Sequence, residues 1–451
     1  MVNKPPLMIS VSGVRGIVGE SMTASVCLRW AQAFGHLCSK GTVVVGGDSR
    51  VSKTMMRAAT ISGLASAGAS IIDVGVVPTP TVSLAVERHS ASGGIAITAS
   101  HNPAEWNALK FYGSDGLFID SGQGQLLRSL VEGDRSFDVP AFEVGTYARD
   151  EHAIESHLNA VLGLPFLDAD AIRKRKFRVG LDAVHGAGGE LLTRMLDMLG
   201  CEVVSYHVEP TGRFPRNPEP TNENLRKISS AMREDRVDIG FVLDPDADRL
   251  ALVRSDGLPA GEELTLCVAA LAALPHIPGP VVANCSTSLA LREIAKDFNR
   301  EYFETKVGEA HVARKMIEVN AAIGGEGNGG VMLPMIHAAR DSAVGAALVL
   351  KALLEFGGTS ADLFDSLPRF SLVKKKREFN SLEEQREAME RLNSVDSLGT
   401  PDCLDGLKWR TSDAWVQARQ SNTEPIVRVF AEASSSERAE ELADLILKKL
   451  S

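Results

Sequence analysis

Aromatic residues are scarce in this chain, 5% in all with four tryptophans and four tyrosines, and there are only six cysteines. Cys27, Cys38, Cys201, Cys267, Cys285 and Cys403 are scattered, with no CxxC or other metal-ligand spacing. That excludes a thiolate zinc site and a redox pair, and leaves them as reduced packing residues. No uninterrupted apolar run reaches the roughly 18 residues a membrane helix needs. The opening Met1-Val2-Asn3-Lys4-Pro5-Pro6 also lacks a signal-peptide hydrophobic region, so a cytoplasmic protein without a membrane partner is expected. No GxxxxGK[ST] phosphate loop and no helix-opening dinucleotide fingerprint is present, which argues against nucleotide binding. With 48 basic and 58 acidic residues the net charge is −10, which argues against broad nucleic-acid binding. An anionic ligand must therefore be met by local cations and backbone amides.

What is present is a repeated order of elements over 451 residues, more than one hydrophobic core usually serves. The first pass predicts a helix over Met22–Lys40, a strand over Thr42–Gly46, a helix over Lys53–Ala69, a strand over Ile71–Val77, a helix over Pro80–Arg88 and a strand over Gly94–Thr98. The second predicts strands at Arg178–Leu181, Val203–Tyr206 and Asp238–Leu243, with helices from about Gly189 and Asn222. The third predicts strands at Val281–Asn284, Tyr302–Thr305 and Ala321–Gly324, with helices at Ser288–Phe298 and Ala310–Val319. Past Leu367 two charged helices, Leu382–Leu392 and Ser435–Leu450, join strands at Leu372–Phe379, Ala414–Ala418 and Ile426–Ala431. The expected fold is α/β: three similar α/β domains with mixed or mostly parallel sheets, plus a smaller C-terminal α+β domain, around a central cleft. Domains are expected at 1–146, 147–255, 256–368 and 369–451, with linkers near Gly145-Thr146-Tyr147, Ser255-Asp256-Gly257 and Pro368-Arg369-Phe370.

Each pass ends in an unusual loop, at the strand ends where open α/β sheets bind ligands. In Thr98-Ala99-Ser100-His101-Asn102-Pro103, Ser100 can carry a phosphoryl group, although a simple Ser/Asn turn reads the same way. In Asp244-Pro245-Asp246-Ala247-Asp248-Arg249 three carboxylates at alternate positions offer hard oxygens to Mg²⁺, with Ser100 as a further ligand. A solvated acidic turn is the alternative; a calcium loop is disfavoured because the Gly and distal Glu of an EF-hand are missing. Arg249 could neutralise charge on a transferring phosphoryl group, and Lys110 or His101 could move protons. Gly325-Glu326-Gly327-Asn328-Gly329-Gly330 offers the Glu326 carboxylate and the Asn328 amide to sugar hydroxyls. Arg419-Gln420-Ser421-Asn422-Thr423-Glu424-Pro425, followed by Arg428, has the forks and hydroxyls of a phosphate clamp, and Arg15 in Ser12-Gly13-Val14-Arg15-Gly16 could reach the same cleft.

Taken together, TASHNP, DPDADR, GEGNGG and RQSNTEPIVR resemble the α-D-phosphohexomutase family, which includes phosphoglucomutases, phosphomannomutases and phosphoglucosamine mutases. The resemblance spans essentially the whole chain and implies four domains, the last a mobile phosphate-binding cap. It implies Ser100 as the modified, phosphoryl-carrying residue, Asp244, Asp246 and Asp248 as Mg²⁺ ligands, Arg249 as charge stabiliser and Lys110 as general base. Glu326 and Asn328 fall in the sugar-recognition loop. Arg419, Ser421, Asn422, Thr423 and Arg428 match the distal phosphate clamp. Arg15 matches the N-terminal segment, and Lys306-Val307-Gly308-Glu309 matches a loop that meets the sugar through Gly308. Asn328 stands where many relatives have serine and Gly330 where they have histidine, for which His337, followed by Arg340-Asp341, is a candidate substitute. The implied reaction is reversible transfer between the 6 and 1 positions of a phosphosugar, through a phosphoserine and a bisphosphorylated sugar that serves as intermediate and activator. Glucosamine phosphate is the preferred substrate, mannose or glucose phosphate the runner-up. A phosphatase and a non-catalytic phosphosugar sensor are the readings from other classes. A monomer or homodimer is expected.

Overall fold

The computed structural model describes residues 6–11, 13–133, 135–392, 398–411, 413–421 and 424–450. Among them the chain forms four sheets, three in α/β layers and a last antiparallel one. The first runs in the spatial order Met8–Ser10, Gly13–Ile17, Trp106–Tyr112, Gly93–Ile97, Thr42–Gly47, Ser70–Val76, Tyr147–Arg149. Its central strands are parallel and buried, which is why they read as continuous runs such as Val43-Val44-Val45. The second has the order Leu250–Val253, Ile239–Leu243, Arg178–Asp182, Glu202–Tyr206, and the third Tyr302–Thr305, Val281–Asn284, Ile323–Glu326, Gly330–Leu333, His337–Arg340. The fourth runs Ser371–Glu378, Ile426–Ala433, Ala414–Gln420, Leu407–Arg410. No helix among the described residues is long and apolar enough to cross a membrane.

A finer repeat underlies the first three sheets. In each, a parallel strand runs into a functional loop and the chain returns as an antiparallel neighbour. Gly93–Ile97 returns as Trp106–Tyr112, Ile239–Leu243 as Leu250–Val253, and Ile323–Glu326 as Gly330–Leu333. Each loop is thus clamped at both ends by sheet hydrogen bonds. The glycine-rich segment is accordingly a tight hairpin, with Glu326 opposite Gly330 and Gly329 at φ +85°.

Other departures from expectation have local causes. The helix expected from about Asn222 begins at Arg226, after a turn in which Leu225 N–H donates to the Thr221 carbonyl (3.1 Å) and Asn224 Nδ2 to the Glu219 carbonyl (2.9 Å). The chain does not leave the first sheet at residue 146. Ile71 N–H donates to the Thr146 carbonyl (2.7 Å), and Tyr147–Arg149 then pairs in parallel with Ser70–Val76.

One core unites the second and third units with part of the first, through two helices, Leu264–Ala273 and Ser342–Phe356, that are apolar almost all round and buried. The fourth unit has its own core, around Trp409, Val416, Val429 and Leu442. It meets the third through polar contacts. Glu432 accepts from Ser288 Oγ (2.5 Å) and Leu289 N–H (2.7 Å), and Lys374 bridges Glu262 and Glu263 at 2.7 and 2.8 Å.

In the second unit, buried Asp182 pairs with His207 Nδ1 (3.0 Å) and Arg216 Nε (2.9 Å), and Arg216 Nη2 reaches the Leu243 carbonyl (3.1 Å) at the mouth of the aspartate loop. The Asp182 partner raises the His207 pKa above its ordinary 6.5. A raised folded pKa stabilises fully below the unfolded value and loses that contribution as pH rises through the folded value. His207→Gln is therefore expected to lower the thermal midpoint at pH 6, with the gap to the unmodified protein closing in alkaline buffer. A gap independent of pH would contradict this.

Candidate active site

Ser100 sits at the end of Gly93–Ile97 with a left-handed backbone, φ +48°, and is 7% exposed. A non-glycine residue holds that conformation only when its surroundings fix it, and the fixing group is Arg50. This guanidinium is fully buried and donates to four carbonyls of the loop: Ser100 (2.7 Å), Asn102 (2.7 Å), Pro103 (2.5 Å) and Trp106 (2.9 Å). Its Nε donates to Asp48 (3.1 Å), which also accepts from Thr98 Oγ1 (2.6 Å). The sequence reading passed over Asp48 and Arg50. Yet Gly46-Gly47-Asp48-Ser49-Arg50 leaves the end of strand Thr42–Gly47, the kind of position that drew attention to the other loops.

Ser100 Oγ donates to Asp244 Oδ2 (3.0 Å) and lies 3.3 Å from His101 Nδ1. Burial, then Arg249, pushes the His101 pKa down to about 2, so its imidazole is neutral. One carboxylate oxygen each from Asp244, Asp246 and Asp248 lies within 4.8 Å of the others, all three residues buried. Burial and the neighbouring Asp248 and Asp246 push the Asp244 pKa well up. Burial also acts on Asp246, but the Lys110 ammonium (2.8 Å) and Thr79 Oγ1 (2.7 Å) outweigh it and hold that carboxyl well below the usual range. Asp246 Oδ1 and Asp248 Oδ1 are buried and accept no hydrogen bond from the described residues. Two orphaned carboxylate oxygens beside a third carboxylate fit a small divalent cation with oxygen preference. Burial lowers the Lys110 pKa, but Asp246 and Asp248 more than reverse that, so Lys110 is a held ammonium.

A cavity of about 620 Å³ opens above this cluster. Arg15, Ser100, Lys110 and Arg249 line it together with Gly308, Glu326, Asn328 and Arg340. Glu326 Oε1 accepts from Asn284 Nδ2 (2.8 Å) and Gly308 N–H (2.9 Å), and Oε2 from Arg340 Nη1 (2.9 Å). Burial opposes ionisation of Glu326, but Arg340 and these donors hold its pKa below the ordinary value. Asn328 Oδ1 is buried beside it without a partner among the described residues. His337, by contrast, is buried behind the cleft, its Nε2 2.9 Å from Asp341 and its Nδ1 3.4 Å from Ser83 Oγ. It does not take the place of a histidine at 330, because strand His337–Arg340 turns its side chain into the interior.

The clamp residues stand further out. Arg419 lines an adjoining cavity of about 520 Å³ and pairs with Asp405 (3.3 Å), and Arg428 is its cross-strand neighbour. Ser421 lies where the strands part, its N–H donating to the Ile426 carbonyl (2.9 Å). Asn422 and Thr423 lie outside the described residues. Arg15 Nη1 donates to Asn102 Oδ1 (3.3 Å); burial and then repulsion from Arg428 lower its pKa, so the first and fourth units feel each other's charge across the cleft.

Family models agree with this architecture. Residues 8–136, 155–257 and 261–370 match alpha/beta/alpha domains I, II and III of phosphoglucomutase/phosphomannomutase, and 373–449 match its C-terminal domain. A probable phosphoglucosamine mutase of Methanopyrus kandleri is 35% identical over 96% of this chain and 95% of its own. A phosphoglucomutase/phosphomannomutase of Thermococcus kodakarensis is 37% identical over 97% of each. Among solved structures, a phosphoglucomutase/phosphomannomutase family protein from Burkholderia thailandensis superposes with a TM-score of 0.85 at 26% identity over 98% of both chains. A putative phosphomannomutase from Thermus thermophilus gives 0.83 at 27% identity over 99% of both. The chain belongs to the α-D-phosphohexomutase family, and its activity is that of a phosphohexomutase.

Arg50 uses its planar fork on four carbonyls and a carboxylate, a pattern a lysine cannot reproduce. Arg50→Lys is expected to lower kcat by about a hundredfold, the scale of a small misplacement of a reacting group, with little change in KM. Mutase kinetics with full kcat retained would remove Arg50 from this role.

Proposed function

We propose that this phosphohexomutase interconverts glucosamine 6-phosphate and glucosamine 1-phosphate, with Ser100 as the phosphoryl carrier. The observation that carries the sugar assignment is a pair that lines the same cavity as Ser100: ionised Glu326 beside Asn328 Oδ1, which has no partner among the described residues. Both are acceptors, matched to a ligand that presents hydrogen-bond donors, and a hexosamine presents an ammonium among its hydroxyls. The name of the Methanopyrus kandleri relative supports the same reading. The second reading is a phosphoglucomutase/phosphomannomutase, favoured by the Thermococcus kodakarensis relative at 37% identity.

Asp244, Asp246 and Asp248 would hold Mg²⁺, together with an oxygen on Ser100. The ion, when bound, supplies Lewis-acid polarisation of the phosphoryl oxygens. The chain's own groups do the rest. The bond from Ser100 Oγ to phosphorus breaks as one forms from a sugar hydroxyl; the Lys110 ammonium, the form its carboxylate neighbours favour, gives a proton to the departing Ser100 Oγ and takes up the proton of the attacking hydroxyl, so the serine hydroxyl is restored. In the second transfer the serine hydroxyl's proton passes the other way through Lys110 to the sugar oxygen that the phosphoryl leaves. Arg249 meets the charge on the transferring group. Neutral His101 orients the serine hydroxyl. The bisphosphorylated sugar turns between the two transfers, its far phosphate held by Arg15, Arg419, Ser421 and Arg428, with Asn422 and Thr423 completing the clamp. On this reading the units built on the first, second, third and fourth sheets carry in turn the phosphoserine, metal, sugar and distal phosphate functions, in a monomer or homodimer.

Ser100→Ala is expected to abolish interconversion and to remove the one-phosphoryl mass increment that intact-mass spectrometry should find after incubation with a hexose bisphosphate. Turnover by that variant would overturn the phosphoserine. Assayed with Mg²⁺ and a bisphosphate activator, kcat/KM for glucosamine 6-phosphate should exceed that for the mannose and glucose phosphates. A preference for either of those sugars would replace the sugar assignment without touching the chemistry.

A further inference from the structure

The cleft contains a cation that the reaction scheme leaves without a part. Arg340 ends strand His337–Arg340, is 7% exposed, and meets carboxylates from three separate segments. Its Nη2 donates to Asp248 Oδ2 (2.6 Å) in the aspartate loop, its Nη1 to Glu326 Oε2 (2.9 Å) in the glycine-rich hairpin, and its Nε to Glu309 Oε2 (3.0 Å) in the first turn of helix Glu309–Glu318. Its backbone N–H donates to the other oxygen of Glu309 (3.2 Å). With Asp248 Oδ2 taken, Oδ1 is the oxygen left without a hydrogen bond. Arg340 thus sets which oxygen of Asp248 is free and which way the Glu326 carboxylate faces. A guanidinium offers donors in three directions in one plane, whereas an ammonium is a point charge.

The route of this side chain explains Gly330. A Cβ at that position would lie 2.3 Å from Arg340 Cδ and 2.9 Å from Cγ. Gly330 is in a strand and its φ is outside the left-handed region, so no backbone requirement calls for glycine there. The atoms it would strike belong to the stem of an arginine pinned at three points, which cannot swing aside as a free surface chain would. The demand at 330 is for space.

We propose that Arg340 is a positioning residue that ties the metal-binding loop to the sugar-binding hairpin, and that Gly330 is the opening that admits it. The proposal rests on the reading of Asp248 and Glu326 given above, and it assigns functional work to Arg340, which lines the cavity without a part in the scheme above, and to Gly330.

The test is a pair of double-mutant cycles in the full-length enzyme, with circular dichroism and thermal midpoints to establish folding. The probes are glucosamine, mannose and glucose 6-phosphates, and whichever the unmodified enzyme turns over best is carried forward. Gly330→Ala is expected to reduce kcat/KM by about tenfold or more, as loss of a supporting partner does. In the Arg340→Ala background, where the space is open, the same alanine should cost less than about twofold, the non-additivity expected of residues in contact. Likewise Arg340→Gln should weaken binding of the 6-phosphate, measured by calorimetry in metal-free buffer, in the unmodified protein but not in Glu326→Gln. Equal costs in both backgrounds would overturn the proposal, since they would mean that an alanine at 330 acts on something else, such as Asn328 Oδ1 at 3.1 Å. Where Gly330→Ala folds poorly, Arg340→Lys serves: it keeps the charge, so undiminished turnover would overturn the positioning role. An unmodified enzyme that turns over none of the three sugars would instead refute the functional reading on which this rests.

Discussion

Everything in this molecule is arranged around the cost of holding three aspartates in its interior, close enough to share one cation. Carboxylates buried beside one another repel, and each has given up its water. The structure offsets this from every side. Thr79 and Lys110 come from the first unit and Arg340 from the third, while the backbone N–H of Arg249 donates to Asp244 from the same loop (3.2 Å). What the chain supplies stops short of full compensation, since two carboxylate oxygens remain without donors. A group of oxygens so constrained is a receptor for positive charge, and the Ser100 hydroxyl is brought against it, donating to Asp244.

The three-fold pattern of strand, loop and antiparallel return is what permits such crowding. A loop anchored at one end would relax away from its like-charged neighbours. One sewn into a sheet at both ends cannot, because relaxing would break ladder hydrogen bonds in the core. The described strands of the fourth unit are all antiparallel and do not repeat that pattern. That unit contributes guanidinium groups from an antiparallel sheet, and it meets the third unit through Glu432 and Lys374, with its apolar core kept to itself.

Much of this was legible in the residues. Parallel strands buried on both faces announce themselves as runs such as Val43-Val44-Val45 and Ile239-Gly240-Phe241-Val242-Leu243, and the helices between them carry the 3.6-residue period. The loops were legible for a different reason: hydroxyls, carboxylates and glycines clustered where a strand stops have little structural use. The return strands were harder. Leu250-Ala251-Leu252-Val253 is short and wholly buried, so it shows no alternation, and Trp106–Tyr112 was seen only as the bearer of Lys110. Arg50 escaped, and Arg340 was noticed only as a neighbour of His337, because their importance lies in partners far along the chain. Nothing within ten residues of Arg340 points to Asp248 or Glu326, and a lone arginine near a strand end usually faces water. His337 misled for the converse reason: a histidine near a catalytic loop draws attention, yet the pleat of its strand sends it inward to Asp341.

The left-handed turn at Ser100 has a consequence for how the two ends of a substrate are treated. Its backbone is braced by a guanidinium on carbonyl groups, and none of those contacts involves the hydroxyl or anything attached to it. A group attached to that hydroxyl would leave the brace untouched. On the proposed mechanism the serine is then a fixed anvil, of one shape before and after each stroke, and the asymmetry between the two positions of the sugar is resolved by the workpiece, which presents first one face and then the other to the same point in space.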